Sequence, residues 1–338
     1  MNPAEGIRPA AANAPAASSR GASSESVANP ALQPLAPNML WVPGGTFLMG
    51  SDGHYPEEAP AHRVTVSGFW MDRNTVTNRE FARFVAETGH VTLAEQVPDP
   101  ADYPYAKPEL LVPASSVFRQ PTQRVDLGDP YNWWTYVPAA NWRQPQGPGS
   151  SLNGRQDHPV VHVAWPDVES YAAWAGKSLP TEAEWEFAAR GGLDGATYAW
   201  GDEFTPSGRW MANTWQGEFP IQNTEQDGYA GTAPVGSFPA NGYGLADMIG
   251  NVWEWTSDWY QAHAETAHSC CTVKDPRGGE QNRSNDPHDP VRIPRKVMKG
   301  GSHLCAPNYC QRYRPAARMP QAIDTATSHL GFRCIIRT

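Results

Sequence analysis

The stretch Leu179-Pro180-Thr181-Glu182-Ala183-Glu184-Trp185-Glu186-Phe187-Ala188-Ala189-Arg190-Gly191-Gly192 sets the scale of the architecture. Thr181 and Glu184 stand at capping-box spacing, so a helix begins here, and the glycine pair ends it. It is a short helix between punctuation marks, and the pattern repeats upstream. Pro166 suits a first helical turn, with Val168, Tyr171, Ala172 and Ala175 on one side and Gly176 as the stop. Another helix is predicted from about Asn78, where Phe81, Phe84, Val85 and Thr88 recur every three or four residues before Gly89. Around these helices the chain reads as short strands. Met39-Leu40-Trp41-Val42 and Thr46-Phe47-Leu48-Met49 form two, joined at Pro43-Gly44-Gly45. Val64, Val66 and Gly68-Phe69-Trp70-Met71 suggest another, and Val160-Val161-His162-Val163 one more. Residues 95–157 are rich in Pro, Asn and Gln but carry Trp133, Trp134 and Trp142, so packed irregular loops are expected rather than a linker. Beyond Tyr198 only short strands and turns are visible, and no repeat of 20–50 residues appears.

Composition agrees with that reading. The 338 residues include 30 Gly and 33 Pro, which cut the chain too finely for a long helical bundle or a TIM barrel. Fourteen Trp can fill a core poor in regular structure or line a groove. The expected fold is one compact α+β domain over residues 38–338, rich in loops, with two or three helices. Residues 1–37 contain 11 Ala, 6 Pro and 5 Ser without an aromatic, and are expected to be a disordered tail rather than an export signal. A formal charge of −9 argues against nucleic-acid binding. No run of about 18 apolar residues exists to span a membrane. The five cysteines, Cys270, Cys271, Cys305, Cys310 and Cys334, are too few and too clustered for a secreted disulfide framework, which points to a reducing, cytoplasmic setting.

The sharpest chemical feature is Gly300-Gly301-Ser302-His303-Leu304-Cys305-Ala306-Pro307-Asn308-Tyr309-Cys310. On a strand, thiols five positions apart face opposite sides. A turn at Ala306-Pro307-Asn308 would bring them together. Spacing alone leaves three readings open: a structural disulfide, a zinc site, or a redox or Cu(I) dithiolate, since soft thiolates select Cu(I).

Larger blocks narrow the choice. Lys299-Gly300-Gly301-Ser302, Tyr309-Cys310, Arg312-Tyr313-Arg314, Ala316-Ala317-Arg318 and Leu330-Gly331-Phe332-Arg333-Cys334 resemble the formylglycine-generating enzyme (sulfatase-modifying factor) family. So do Trp41-Val42-Pro43-Gly44-Gly45, Ala140-Asn141-Trp142-Arg143, Trp174-Ala175-Gly176-Lys177, Leu179–Glu186, Asn241-Gly242-Tyr243-Gly244-Leu245 and Gly250-Asn251-Val252-Trp253-Glu254-Trp255. The resemblance spans roughly residues 39–338. It implies a fold related to C-type lectins and oxidation of a cysteine within Cys-X-Pro-X-Arg of an unfolded sulfatase to Cα-formylglycine by O2. It also implies that Cys305 and Cys310 bind Cu(I), with the substrate thiolate as a third sulfur ligand. Ser302, Tyr309 and Trp253 match positions lining the family's active site, and His329 stands where the family has an active-site Asn. Two structural Ca2+ sites are implied. Asn213, Thr214, Asp227 and Tyr229 match one; Asp247, Gly250, Val252 and Glu254 match the other. Hard oxygen ligands from loops are what Ca2+ favours.

The chain departs from the family in places. Cys334 has no partner cysteine near Phe187-Ala188-Ala189-Arg190 and is expected to be a buried free thiol. Ala306-Pro307 replaces a His-Arg pair, and Cys270-Cys271 has no counterpart. Two rival functions share the fold: a non-catalytic lectin-like binding module, and an iron-dependent sulfoxide synthase, which normally brings an extra helical domain and a three-His site. The expected partners are an unfolded sulfatase segment and O2, with neither nucleic acid nor membrane, and the expected state is a monomer.

Overall fold

The computed structural model describes residues 36–263 and 272–338, which all belong to one unit, Pro34–Thr338. Residues 1–35 of the expected tail, and Cys270-Cys271, lie outside the described residues. The caps locate the helices. Helix α1 (Asn78–Thr88) is opened by a reciprocal box: Thr77 N–H donates to Glu80 Oε2 at 2.8 Å and Glu80 N–H to Thr77 Oγ1 at 3.3 Å. It ends at Gly89, whose φ of 70° is the left-handed cap that glycine adopts freely. Helix α2 (Trp165–Trp174) has Pro166 in its first turn and Asp167 accepting from Ala164 N–H at 2.9 Å. Helix α3 (Glu182–Arg190) carries the box expected of it, with Thr181 N–H to Glu184 Oε2 at 2.7 Å and Glu184 N–H to Thr181 Oγ1 at 3.1 Å.

Among the described residues twelve short strands complete the fold: β1 (Met39–Val42), β2 (Gly45–Met49), β3 (His62–Val66), β4 (Phe69–Asp72), β5 (Ala114–Phe118), β6 (Trp134–Pro138), β7 (Trp253–Trp259), β8 (Val273–Lys274), β9 (Arg295–Lys299), β10 (Arg318–Ala322), β11 (Leu330–Gly331) and β12 (Ile335–Arg337). They pair in four small sheets, ordered β1-β4-β12, β10-β9-β7-β11, β2-β3-β8 and β5-β6. No helix among the described residues is long and apolar enough to cross a membrane.

Three expectations are corrected. The stretch from Val64 to Met71 is two strands in different sheets, because the chain turns at Ser67-Gly68. Residues 95–157 contain the β5-β6 hairpin, which the scattered Pro and Asn hide. Val160–Val163 is not a strand: His162 takes a φ of 62°, and its N–H reaches Thr327 O alone rather than a ladder.

The main core gathers all three helices around Trp185, Trp255, Phe69 and Phe332. Helix α3 is buried along its whole length with its charges, so those charges need partners. Glu182 pairs with Arg318 and Lys299, and Glu186 with Arg190 and Lys299. This network ties α3 to β9 and β10, the strands flanking the cysteine loop. A second, smaller cluster of Trp133, Trp215, Phe219, Leu304 and Ala306 lies against that loop.

Candidate active site

Strand β9 delivers the chain to Gly300 and Gly301, whose φ values are 93° and 72°. A Cβ at Gly300 would stand 2.9 Å from Met248 O and 3.0 Å from the Trp185 ring, so this approach needs glycine. The turn that follows is closed by Cys305 N–H to Ser302 O at 2.9 Å and by Leu304 N–H to Ser302 Oγ at 3.2 Å. A second turn sends the N–H groups of Tyr309 and Cys310 back to Ala306 O, at 3.1 and 2.8 Å. That is the turn expected at Ala306-Pro307-Asn308. It sets the Sγ atoms of Cys305 and Cys310 3.2 Å apart. This exceeds the ~2.05 Å of a disulfide, and both are buried free thiols.

The two sulfurs differ in surroundings. Burial, and then the hydrogen bond to Cys310, push the Cys305 thiol well above its usual range. Cys310 is pushed the other way, first by the hydrogen bond from Cys305 and then by the Arg312 guanidinium, whose Nη1 lies 3.9 Å from its sulfur. The two shifts run in opposite directions, so the proton is held more tightly on Cys305 than on Cys310. Ser302 N–H points at Cys305 Sγ from 3.4 Å.

Of the other expected residues, Tyr309 lies on the same loop, while Trp253 and His329 are joined to each other through the backbone. Tyr309 is 39% exposed and stacks on Phe219 with ring centres 4.6 Å apart; Trp133 meets it edge-on at 5.2 Å. Asn308 clasps the Phe219 backbone from both sides, and Trp215 N–H donates to Cys305 O at 3.0 Å. Trp253 lies in the main core with both cysteines, and its N–H donates to His329 O at 2.8 Å. His329 shares a 2.7 Å hydrogen bond with Thr327 Oγ1 and lies 4.7 Å from the Trp134 ring. Burial, helped by His303 and His162, pushes its imidazole down to about 3, so it is neutral at physiological pH. The aromatic wall of Trp133, Trp215 and Phe219, and the Arg312 contact, were not singled out as site residues from sequence. The Arg312-Tyr313-Arg314 motif beside Cys310 was the available signal.

The calcium sets fit unequally. In the first, Asp227 Oδ2 accepts from Thr214 N–H at 3.1 Å and Oδ1 from Tyr229 N–H at 3.0 Å, so three of the four expected residues converge, although Gln216 Nε2 already donates to Thr214 O and to Asp227 Oδ2. Asn213 Oδ1 and Thr214 Oγ1 are buried there without a partner, and burial raises the Asp227 carboxyl. Orphaned buried oxygens beside a carboxylate suit a hard cation. In the second, Asp247 is pushed up to about 6 by burial, which a cation would relieve. Glu254, however, already receives Arg333 Nε and Nη2 at 2.8 and 2.7 Å and Trp185 Nε1 at 2.8 Å. That set fits in part only. Cys334 is a fully buried free thiol, as expected.

A cavity of ≈ 520 Å³ opens beside β5. Asp99, Asp102 and Asp324 line it with Tyr103 and Tyr136, and among the described residues no Lys or Arg does. Ala114, Ser115 and Ser116 of β5 form one side. Two residues on, Phe118 packs on Trp215 and Phe219, the wall beside the cysteines.

Residues 24–338 match the family described as Sulfatase-modifying factor enzyme 1-like domain. A Mycobacterium tuberculosis protein named "Formylglycine-generating enzyme" is 53% identical over 298 residues, which cover 87% of this chain and 96% of that protein. A Mus musculus protein named "Inactive C-alpha-formylglycine-generating enzyme 2" is 39% identical over 306 residues, covering 88% of this chain and 85% of its own. Among solved structures, PvdO from Pseudomonas aeruginosa superposes with a TM-score of 0.55 at 24% identity, covering 89% of this chain and 94% of that one. That likeness concerns the fold.

Proposed function

The chain belongs to the sulfatase-modifying factor family, and from that premise we propose that it converts a cysteine in the Cys-X-Pro-X-Arg segment of an unfolded sulfatase to Cα-formylglycine, using O2 and Cu(I). A relative named inactive shows that membership alone does not carry the activity. The observation that carries it is the buried, reduced Cys305/Cys310 pair at 3.2 Å. Two converging thiolates suit Cu(I), which tolerates low coordination and leaves room for a substrate thiolate. Copper held there would supply the redox centre at which O2 oxidises the substrate cysteine. Cys305 and Cys310 would hold the metal, and Ser302 N–H and Arg312 steady their sulfurs. Tyr309, backed by the buried Phe219, Trp133 and Trp215, keeps water from the sulfurs and offers its exposed ring to the substrate's proline. A reducing, cytoplasmic compartment suits a site that works as thiols. The deciding experiment incubates the protein with a Cys-X-Pro-X-Arg peptide, Cu(I) and O2, then measures the aldehyde by mass spectrometry. No aldehyde from protein shown to be copper-loaded would reject the reading.

The acidic cavity beside β5 is the seat for the substrate arginine in this reading. Four extended residues span about 13 Å, the reach from a substrate cysteine to its arginine and also from Ala114 to Phe118 along β5. Asp324 is the innermost acid, its carboxyl raised by burial and bonded to Tyr103 OH at 2.7 Å. Arg→Ala in the peptide should raise KM more than it lowers kcat, because the arginine is remote from the reacting Cβ. Asp324→Asn should raise KM for the arginine peptide by roughly 5–10-fold and leave the alanine peptide unchanged. Equal KM for both peptides with the unmutated enzyme would remove this subsite.

Calcium is read as a structural staple. A chelator should lower the melting temperature, since a ligand bound only to the folded state stabilises it by mass action. Asp227→Ala should abolish that chelator effect at the first set. Metal analysis before and after chelation checks that calcium was present and left; an unchanged melting curve despite complete removal would reject the staple.

A further inference from the structure

The segment between β2 and β3 folds over the cysteine loop and carries Tyr55, Glu57 and Glu58 at its turn. Glu58 is completely buried and takes Arg314 Nη1 and Nη2 at 2.7 and 2.5 Å, which anchors the segment. Tyr55 OH accepts from Gln311 N–H at 3.0 Å. With the segment fixed, Glu57 meets Arg312. Its Oε1 accepts from Arg312 Nε at 3.1 Å and from Nη2 at 2.5 Å, and the Tyr55 ring lies 3.8 Å under the guanidinium carbon. One edge of the guanidinium is thus held, and the remaining Nη1 is aimed at Cys310 Sγ, 3.9 Å away.

We infer that Glu57, backed by Tyr55, is a positioning residue for the copper dithiolate, holding Arg312 where its charge offsets that of the metal–sulfur site. The inference rests on the reading of Cys305 and Cys310 as Cu(I) ligands. Two thiolates and one Cu(I) leave a net charge of −1, and a third thiolate makes it −2. Such a charge is costly in a buried place unless a cation is near. Arg312 is always protonated, and its long side chain would otherwise sample many rotamers. Glu57 is itself negative, but it stands farther from the sulfur than the guanidinium does. It binds the Nε–Nη2 edge, away from the sulfur, and Coulomb energy falls with distance. The nearer cation outweighs the farther anion as long as Glu57 keeps Arg312 in place.

The test is Cu(I) affinity, measured without oxygen by competition against a colorimetric Cu(I) chelator, for Glu57→Ala, Glu57→Gln, Arg312→Ala and Glu57→Ala/Arg312→Ala. Glu57→Ala and Arg312→Ala should each bind Cu(I) about 10-fold more weakly. The double variant should be no weaker than Arg312→Ala, because Glu57 acts only through Arg312. Affinity unchanged or tighter in Glu57→Ala would mean that Arg312 stays in place by itself, and the inference falls. Losses that multiply in the double variant overturn it too, as they would reveal an independent structural effect. If melting shows that Glu57→Ala fails to fold, Glu57→Gln, which keeps the shape, decides in its place. Unmutated protein that binds no Cu(I) through its cysteines would overturn the copper reading itself, which separates the two failures.

Discussion

Serine at Cys305 or Cys310 is expected to abolish stoichiometric Cu(I) binding and to reduce peptide oxidation to background. The change is one atom, and its effect is large because the hydroxyl is a hard, weak ligand for Cu(I) and remains protonated near neutral pH. With a single thiolate left, the second soft donor, whose sulfur stands 3.2 Å from the first, is gone. Both cysteines should behave alike, although their protons are held unequally, because the dithiolate needs both. A secondary effect has to be kept apart. Both residues are buried, and a serine hydroxyl without a partner costs about 1–3 kcal/mol. Alanine variants at the same positions, which bury no polar group, should lose copper equally while melting closer to the unmutated protein. Anaerobic titration with Cu(I), read through the thiolate-to-copper absorption band, gives the stoichiometry. Retention of one copper in Cys305→Ser/Cys310→Ser would move the metal elsewhere, with Cys270-Cys271 as the first place to look.

Much of this site was legible because its grammar is local. The capping box at Thr181 and Glu184 and the stop at Gly89 act within a few residues, and the structure reproduces them closely. The turn at Ala306-Pro307-Asn308 is equally local, so the approach of the two sulfurs could be anticipated. What was hidden depends on partners far away in sequence. The link between Glu57 and Arg312 spans 255 positions, and that between Glu58 and Arg314 spans 256. Nothing in Tyr55-Pro56-Glu57-Glu58 announces it. The hairpin β5-β6 was missed for a related reason: its strands are joined by a long Pro-, Asp- and Gly-containing loop, and β6 alternates poorly. Val160–Val163 misled in the opposite direction. Its β-branched run has strand propensity, but His162 is drawn to Ser115 Oγ and Pro145 O at 2.6 and 2.8 Å, and that burial fixes a left-handed backbone.

Glu254→Ala should be among the most destabilising single substitutions in the domain, and its effect should persist when calcium is removed. Family resemblance implies a calcium ligand at Glu254. The packing gives it another duty. It is 1% exposed, and its carboxylate joins the Arg333 guanidinium to the Trp185 indole. Arg333 also donates to Ala246 O and Asp247 O at 2.9 and 3.3 Å, so one side chain organises the loop that enters β7. Removing the carboxylate leaves a fully buried guanidinium without its counter-charge and an indole N–H without an acceptor. Breaking one side of such a pair costs about 3–5 kcal/mol, and the indole adds about 1 kcal/mol. In a domain of this size that corresponds to a fall in Tm of roughly 6–10 °C. Glu254→Gln keeps the volume and an acceptor for Trp185 but not the charge, so it should fall between. The calcium reading makes a different forecast. If the carboxylate serves mainly the cation, chelator-treated Glu254→Ala and chelator-treated unmutated protein should melt together. Thermal melts of both proteins, with calcium and after chelation, decide the matter. A gap between them that survives chelation assigns the residue to Arg333, and a gap that closes assigns it to the metal.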